Sequence, residues 1–97
     1  MPSYISLIHY TPQGIASIKQ AGARVDAARQ AFKSMGAEIK AYYLVTGQYD
    51  AVVIFEAPDE ETVAKLALGT ALQGNVRTET MRAFTEQEMR AIIGALP

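Results

Sequence analysis

The chain has 97 residues, no cysteine, and nine basic against ten acidic residues, which gives a formal net charge of −1. This length suits one domain spanning residues 1–97, and the lack of thiols excludes disulfides and thiolate chemistry, which fits a reducing cytoplasm. Lysine and arginine are scattered, so we expect no nucleic-acid partner, and no apolar run approaches the ~20 residues of a membrane span. The N-terminus, MPSYISLIHY, has neither a basic region nor a long apolar stretch, so we expect no signal peptide.

The first third of the chain predicts a strand followed by a long helix. Residues 3–10 are rich in β-branched and aromatic side chains, which is typical of a strand. Thr11 is a suitable N-cap with Pro12 at the first helical position. An apolar stripe at helical spacing then continues to Gly36, which ends the helix, and Gly22 within it predicts either a break or close packing.

A β-hairpin is predicted at the middle of the chain. Residues 37–45 and 49–57 read as the second and third strands, separated by a short loop that contains Gly47. Glycine in the first position of a two-residue loop is typical of a type II′ turn, which requires a positive φ there. The sequence therefore predicts a tight two-residue connection.

The last part of the chain predicts a helix, a strand and a final helix. Asp59 is a suitable N-cap for a helix that runs to about Gln73, and residues 75–84 alternate as a fourth strand. Thr85 and Glu88 form a capping-box pattern that starts an amphipathic C-terminal helix. The order β-α-β-β-α-β predicts an α+β, ferredoxin-like domain with a four-stranded antiparallel sheet and two helices on one face.

The third strand is apolar on both of its faces, which is unusual for an antiparallel sheet with one wet side. Ala51, Val53 and Phe55 point to one face, and Val52 and Ile54 point to the other. Two helices cover only one face, so the second face requires another cover. The C-terminal helix or a second copy of the sheet are the candidates, and we expect the protein to form a homodimer or a higher homo-oligomer.

Four short motifs resemble the GYD domain family: TPQG at 11–14, GQYD at 47–50, EAPD at 56–59 and GNVRTETMRAF at 74–84. Gly47, Tyr49 and Asp50 match the residues from which the family takes its name. The resemblance covers essentially the whole chain and implies a dimeric α/β barrel, in which two ferredoxin-like sheets pack face to face. The resemblance implies no particular activity, because the family has no established one. Its wider structural relatives include small monooxygenases, isomerases, haem proteins and effector-binding domains of feast/famine regulators.

The candidate site residues are few and each has an ordinary structural use. His9, the only histidine, is either a proton-transfer group or a core or interface residue. Metal sites usually recruit several ligands, and the chain has no His/Cys cluster, nucleotide loop or HExxH motif, so we expect no metal and no other cofactor.

Tyrosines and one acid gather near the hairpin in the sequence. Tyr42, Tyr43 and Tyr49 are of a type that more often packs in a core or an interface, with Asp50 hydrogen-bonded to backbone, but together they also suit a small, partly apolar ligand. Arg77 on the fourth strand is a candidate partner for an anion.

The sequence leaves more than one function open. A soluble homo-oligomeric protein that binds a small molecule, or serves as an accessory protein, is the first interpretation. The second is a metal-independent enzyme, monooxygenase- or isomerase-like, in which His9 or Asp50 moves a proton. The third is a purely structural interaction module.

Overall fold

The computed structural model describes residues 1–97, which form a four-stranded antiparallel sheet with helices against one face. The strands are β1 (Ser3–Tyr10), β2 (Glu38–Leu44), β3 (Ala51–Glu56) and β4 (Val76–Ala83). The helices are α1 (Pro12–Ala16), α2 (Ala21–Ser34), α3 (Glu60–Leu72) and α4 (Glu86–Gly94). The sheet order β2-β3-β1-β4 is the ferredoxin-like arrangement, so the predicted fold class is confirmed. No helix combines the length and the apolar character that crossing a membrane requires.

The core lies between the sheet and the helices α2 and α3. Along β1 and β3 every second residue is buried, because the pleat sends alternate side chains to opposite faces. Phe55 stacks on Tyr4 with ring centroids 5.4 Å apart and meets the edge of Phe32 from α2 at 5.2 Å. Val63 and Leu66 supply the contribution of α3 to this cluster.

A β-bulge sets which side chains of β2 face the helices. The register of β2 against β3 shifts between Ile39 and Ala41. Ile39 therefore lies opposite Phe55 and Tyr42 lies opposite Val53, although an odd spacing of three residues normally places two side chains on opposite faces. The extra residue thus lets both Ile39 and Tyr42 point towards the helices.

The predicted first helix is interrupted, and the break lies at Ser17 rather than at Gly22. A single turn of 3₁₀ helix, Ile18–Gln20, separates α1 from α2. The guanidinium of Arg24 donates to the carbonyl and the hydroxyl of Ser17, both at 3.0 Å, and to the carbonyl of Gly14. These bonds satisfy carbonyl groups that a continuous helix would have satisfied itself, so the break costs little.

The connection between β2 and β3 is longer than the predicted type II′ turn. The backbone N–H of Val45 donates to the carbonyl of Asp50 at 2.9 Å, so residues 46–49 form the loop. The two-residue prediction is wrong because Tyr49 leaves the ladder to pack on His9. The requirement for glycine remains, since Gly47 has φ of +119°.

Gly14 is required by a close approach between α1 and the segment before β4. A Cβ at this position would lie 2.0 Å from the carbonyl oxygen of Asn75, and that backbone is held by a hydrogen bond from the N–H of Thr11. We expect Gly14→Ala to lower the free energy of unfolding by about 1–3 kcal/mol, as overpacking does. Urea denaturation measures this change.

Gly22→Ala is the matched control for this substitution. A Cβ at Gly22 meets nothing within 4 Å, and the residue lies in α2, where alanine is the better helix former. The control should match the parent or exceed it in stability. Equal stability of Gly14→Ala and Gly22→Ala would contradict the close approach.

Candidate functional site

The sheet face opposite α2 and α3 is uncovered, and its centre is apolar. The register places Leu7 opposite Val52, and Ile5 between Ile54 and Met81, all on this side. We call this surface the open face, and its central residues are Ile5, Leu7, Ala41, Tyr43, Val52, Ile54 and Met81. Tyr43 is 57% exposed and Met81 is 45% exposed. The open face is thus an apolar surface that residues 1–97 leave uncovered.

The open face is comparable in area to the largest apolar patch of a typical monomeric protein. Four strands at ~4.8 Å spacing and about 26 Å in length outline roughly 500 Å² of flat surface. The largest apolar patch on a typical monomeric protein covers about 300–600 Å² and is often functional. The size and the apolar centre together indicate an interaction surface.

Helix α4 does not cover the open face, so the interpretation that it shields this side of its own sheet is wrong. Its start is fixed by the predicted capping box, in which the Thr85 hydroxyl accepts from the Glu88 N–H and the Glu88 carboxylate accepts from the Thr85 N–H. Arg82 adds an ion pair to Glu88 at 3.4 Å. Beyond this anchor none of the helix is buried. Its exposed apolar residues are Met89, Ile92, Ile93 and Leu96.

A polar and aromatic group closes one end of the open face. The rings of His9 and Tyr49 lie 4.8 Å apart, and Arg77 is opposite His9 in the β1–β4 ladder. Hydrogen bonding to the Glu79 carboxylate raises the pKa of Tyr49 above its ordinary value. The structure therefore brings together His9, Tyr49 and Arg77, with Glu79 as a member that the sequence interpretation missed. Glu79 could have been found from the sequence, because residues two apart on a strand, such as Arg77 and Glu79, point to the same face.

The remaining candidates lie elsewhere. Tyr43 belongs to the open face, whereas Tyr42 points to the helix side, where its hydroxyl lies 3.2 Å from that of Tyr10. The Asp50 carboxylate accepts a hydrogen bond of 2.9 Å from the backbone N–H of Tyr10. Asp50 thereby ties the β2–β3 connection to the end of β1, and the candidate residues do not converge on one site.

Asp50→Asn tests this tie. Asparagine keeps one side-chain oxygen acceptor but loses the charge, and a hydrogen bond to a charged group exceeds a neutral one by about 1 kcal/mol. We expect the free energy of unfolding to fall by about that amount, measured by thermal and urea denaturation. Asp26→Asn, at an exposed position of α2, is the control and should leave stability unchanged. Parent-like stability of Asp50→Asn would show that the bond to Tyr10 does not brace the fold.

Known proteins resemble this chain over nearly its whole length. A protein of Thermus thermophilus named "Glutamine synthetase and cystathionine beta-lyase binding protein" is 33% identical over 92 residues, which cover 94% of this chain and 97% of the relative. A protein whose crystal structure is known, also from Thermus thermophilus, is 29% identical, with a TM-score of 0.55 and coverage of 88% of this chain and 95% of that one.

The fold also extends to a more distant sequence. A hypothetical protein of Pyrococcus horikoshii has a TM-score of 0.55 at 19% identity, and the match covers 89% of this chain and 93% of that one. Residues 4–93 match the GYD domain, the family that the motifs around Gly47, Tyr49 and Asp50 resemble. The protein belongs to the GYD domain family.

Proposed function

We propose that this protein is a homodimeric binding protein that serves as an accessory factor to enzymes, and that two copies meet through their open faces. The observation that carries the proposal is the apolar open face, which residues 1–97 leave uncovered. The self-association and the enzyme partner are separate parts of the proposal, and each has its own support and its own experiment.

The small core of the protomer supports self-association. Only 12 of 97 residues are buried, so a second copy over the open face adds apolar burial that one copy cannot achieve. A stable interface needs about 800 Å² from each partner. The open face alone outlines roughly 500 Å² before the side chains are counted, and the exposed apolar residues of α4 add to this area.

The chemistry of the open face favours a second copy over a charged partner. Tyr43 is the only ionisable side chain among its central residues, Glu79 lies opposite Leu7 on the edge strand β4, and Arg77 and Glu56 lie towards its ends. A partner must therefore present an apolar centre of similar shape, and an identical copy does so by symmetry. Interface cores are depleted of charge in the same way.

The enzyme partner is suggested by the relative that is named for binding glutamine synthetase and cystathionine β-lyase. That similarity spans 94% of this chain and 97% of the relative, so it involves the whole fold rather than one motif. Glutamine synthetase and cystathionine β-lyase from the organism of this chain are accordingly the first partners to test.

Met81→Glu tests the interface between copies. Met81 is 45% exposed, so water solvates a carboxylate at this position in the monomer. In the dimer the same carboxylate would be buried with no opposite charge to compensate it. We expect the parent to sediment as a dimer at micromolar concentration and the variant to dissociate with a dimer Kd at least tenfold higher. Leu68→Glu, on the outer side of α3 at 68% exposure, is the control and should leave the dimer intact. A monomeric parent, or equal dimerisation by all three proteins, would refute the interface.

The accessory role is tested with purified enzymes. We expect biolayer interferometry to show saturable binding of the parent to at least one of the two enzymes with a Kd in the micromolar range or below, and no binding to an unrelated metabolic enzyme of similar size. Absence of binding to both enzymes would reject these partners, whatever the oligomeric state. Activity assays of the bound enzyme then show whether the association changes its catalysis.

A further inference from the structure

A cavity of about 330 Å³ lies on the other side of the sheet, beneath α2 and α3. Its volume falls within the ~300–1,000 Å³ of ordinary ligand sites. The sheet contributes the floor, with Ser6, Val53 and Thr80 among the lining residues, and Ala28 and Leu66 belong to the helical roof. This cavity is separated from the open face by the thickness of the sheet.

The packing of α2 indicates that the space is not filled by the protein. None of the 14 residues of α2 is buried, although Phe32 packs against the core and Val25 lines the cavity, and both are only partly shielded. Interiors are normally close-packed, with few voids larger than a water molecule. The alanines Ala28 and Ala31 line the cavity and leave room that larger side chains would occupy.

The charged residues that line the cavity are all basic. Its lining includes Arg24 and Lys65 but no aspartate or glutamate. Lys65 is 62% exposed and forms an ion pair with Glu61 at 3.3 Å, whereas Arg24 is half-buried and forms no ion pair. The bonds from Arg24 to Ser17 and Gly14 use only some of the guanidinium N–H donors.

Two tyrosines add hydrogen-bond donors to the cavity. Only one hydroxyl of the pair Tyr10 and Tyr42 donates to the other, so one O–H of the pair remains without a protein acceptor. Burial raises the pKa of Tyr42, and the nearby Arg24 only partly opposes the rise, so this hydroxyl keeps its proton at neutral pH. A guanidinium beside two protonated phenols is a donor-rich arrangement that suits a carboxylate.

We propose that this cavity binds a small amphipathic carboxylate. Its apolar chain lies against the aliphatic and aromatic side chains between the sheet and the helices, and its carboxylate accepts hydrogen bonds from Arg24 and the Tyr10–Tyr42 pair. The site does not depend on the proposed dimer or on an enzyme partner, because it lies on the helix side of the sheet.

Octanoate is the first probe, with 1-octanol and octylammonium as matched molecules that differ in the head group. Titration calorimetry should show octanoate binding at least tenfold more tightly than either. Equal or weaker binding of octanoate, or no binding, would overturn the proposal. Arg24→Gln should lower the affinity for octanoate to that for 1-octanol and leave the affinity for 1-octanol unchanged. An unchanged ratio of the two affinities would show that the carboxylate does not contact Arg24.

The position of the probe is read from methyl NMR signals of the parent protein, which requires no substitution. Octanoate should shift the methyl signals of Val25, Val53 and Leu66, which line the cavity. Shifts confined to Leu7 and Ile54 on the open face would overturn the assignment.

Ala28→Phe fills part of the cavity and should lower the affinity for octanoate at least tenfold. Ala23→Leu is the control on the exposed side of α2 and should bind like the parent. Undiminished binding by a folded Ala28→Phe variant would refute the site, and the methyl map of the parent decides the question if that variant does not fold.

Discussion

The pleat of the sheet is the constraint on which the rest of this structure depends. Alternate side chains of β1 and β3 point to opposite faces, both sets are apolar at their centres, and the helices α2 and α3 cover only one of them. No element of residues 1–97 covers the other face, because α4 is anchored at Arg82 and Glu88 and has no buried residue. The open face is therefore a consequence of the fold, and it is why the protein is suited to association.

The two sides of the sheet differ in the chemistry they offer. The open face is broad and its central residues are apolar, with Glu79 on the edge strand β4, which suits another protein surface. The helix side holds a cavity of about 330 Å³ whose charged lining residues, Arg24 and Lys65, are both basic, which suits a small anion with an apolar body. The cavity arises because α2 places alanines where a tightly packed helix would place larger residues.

The hairpin region shows how the family motif acts within one protomer. Gly47 provides the positive φ of the connection, Tyr49 turns back onto His9, and Asp50 holds the backbone N–H of Tyr10. These contacts join the β2–β3 connection to the end of β1. The same residues thus shape one end of the open face.

The element order was predictable from the sequence because its determinants are local. The caps at Thr11, Asp59 and Thr85 bond to N–H groups only three residues away, and strand alternation is visible in the sequence itself. The break at Ser17, the long β2–β3 connection and the bulge that places Ile39 on the same face as Tyr42 depended on tertiary contacts. Asp50 and its partner Tyr10 are 40 residues apart, and the cavity is bounded by strands and helices from the whole chain. Sequence periodicity records which side of an element is apolar, whereas the space left between two packed elements exists only once they have packed.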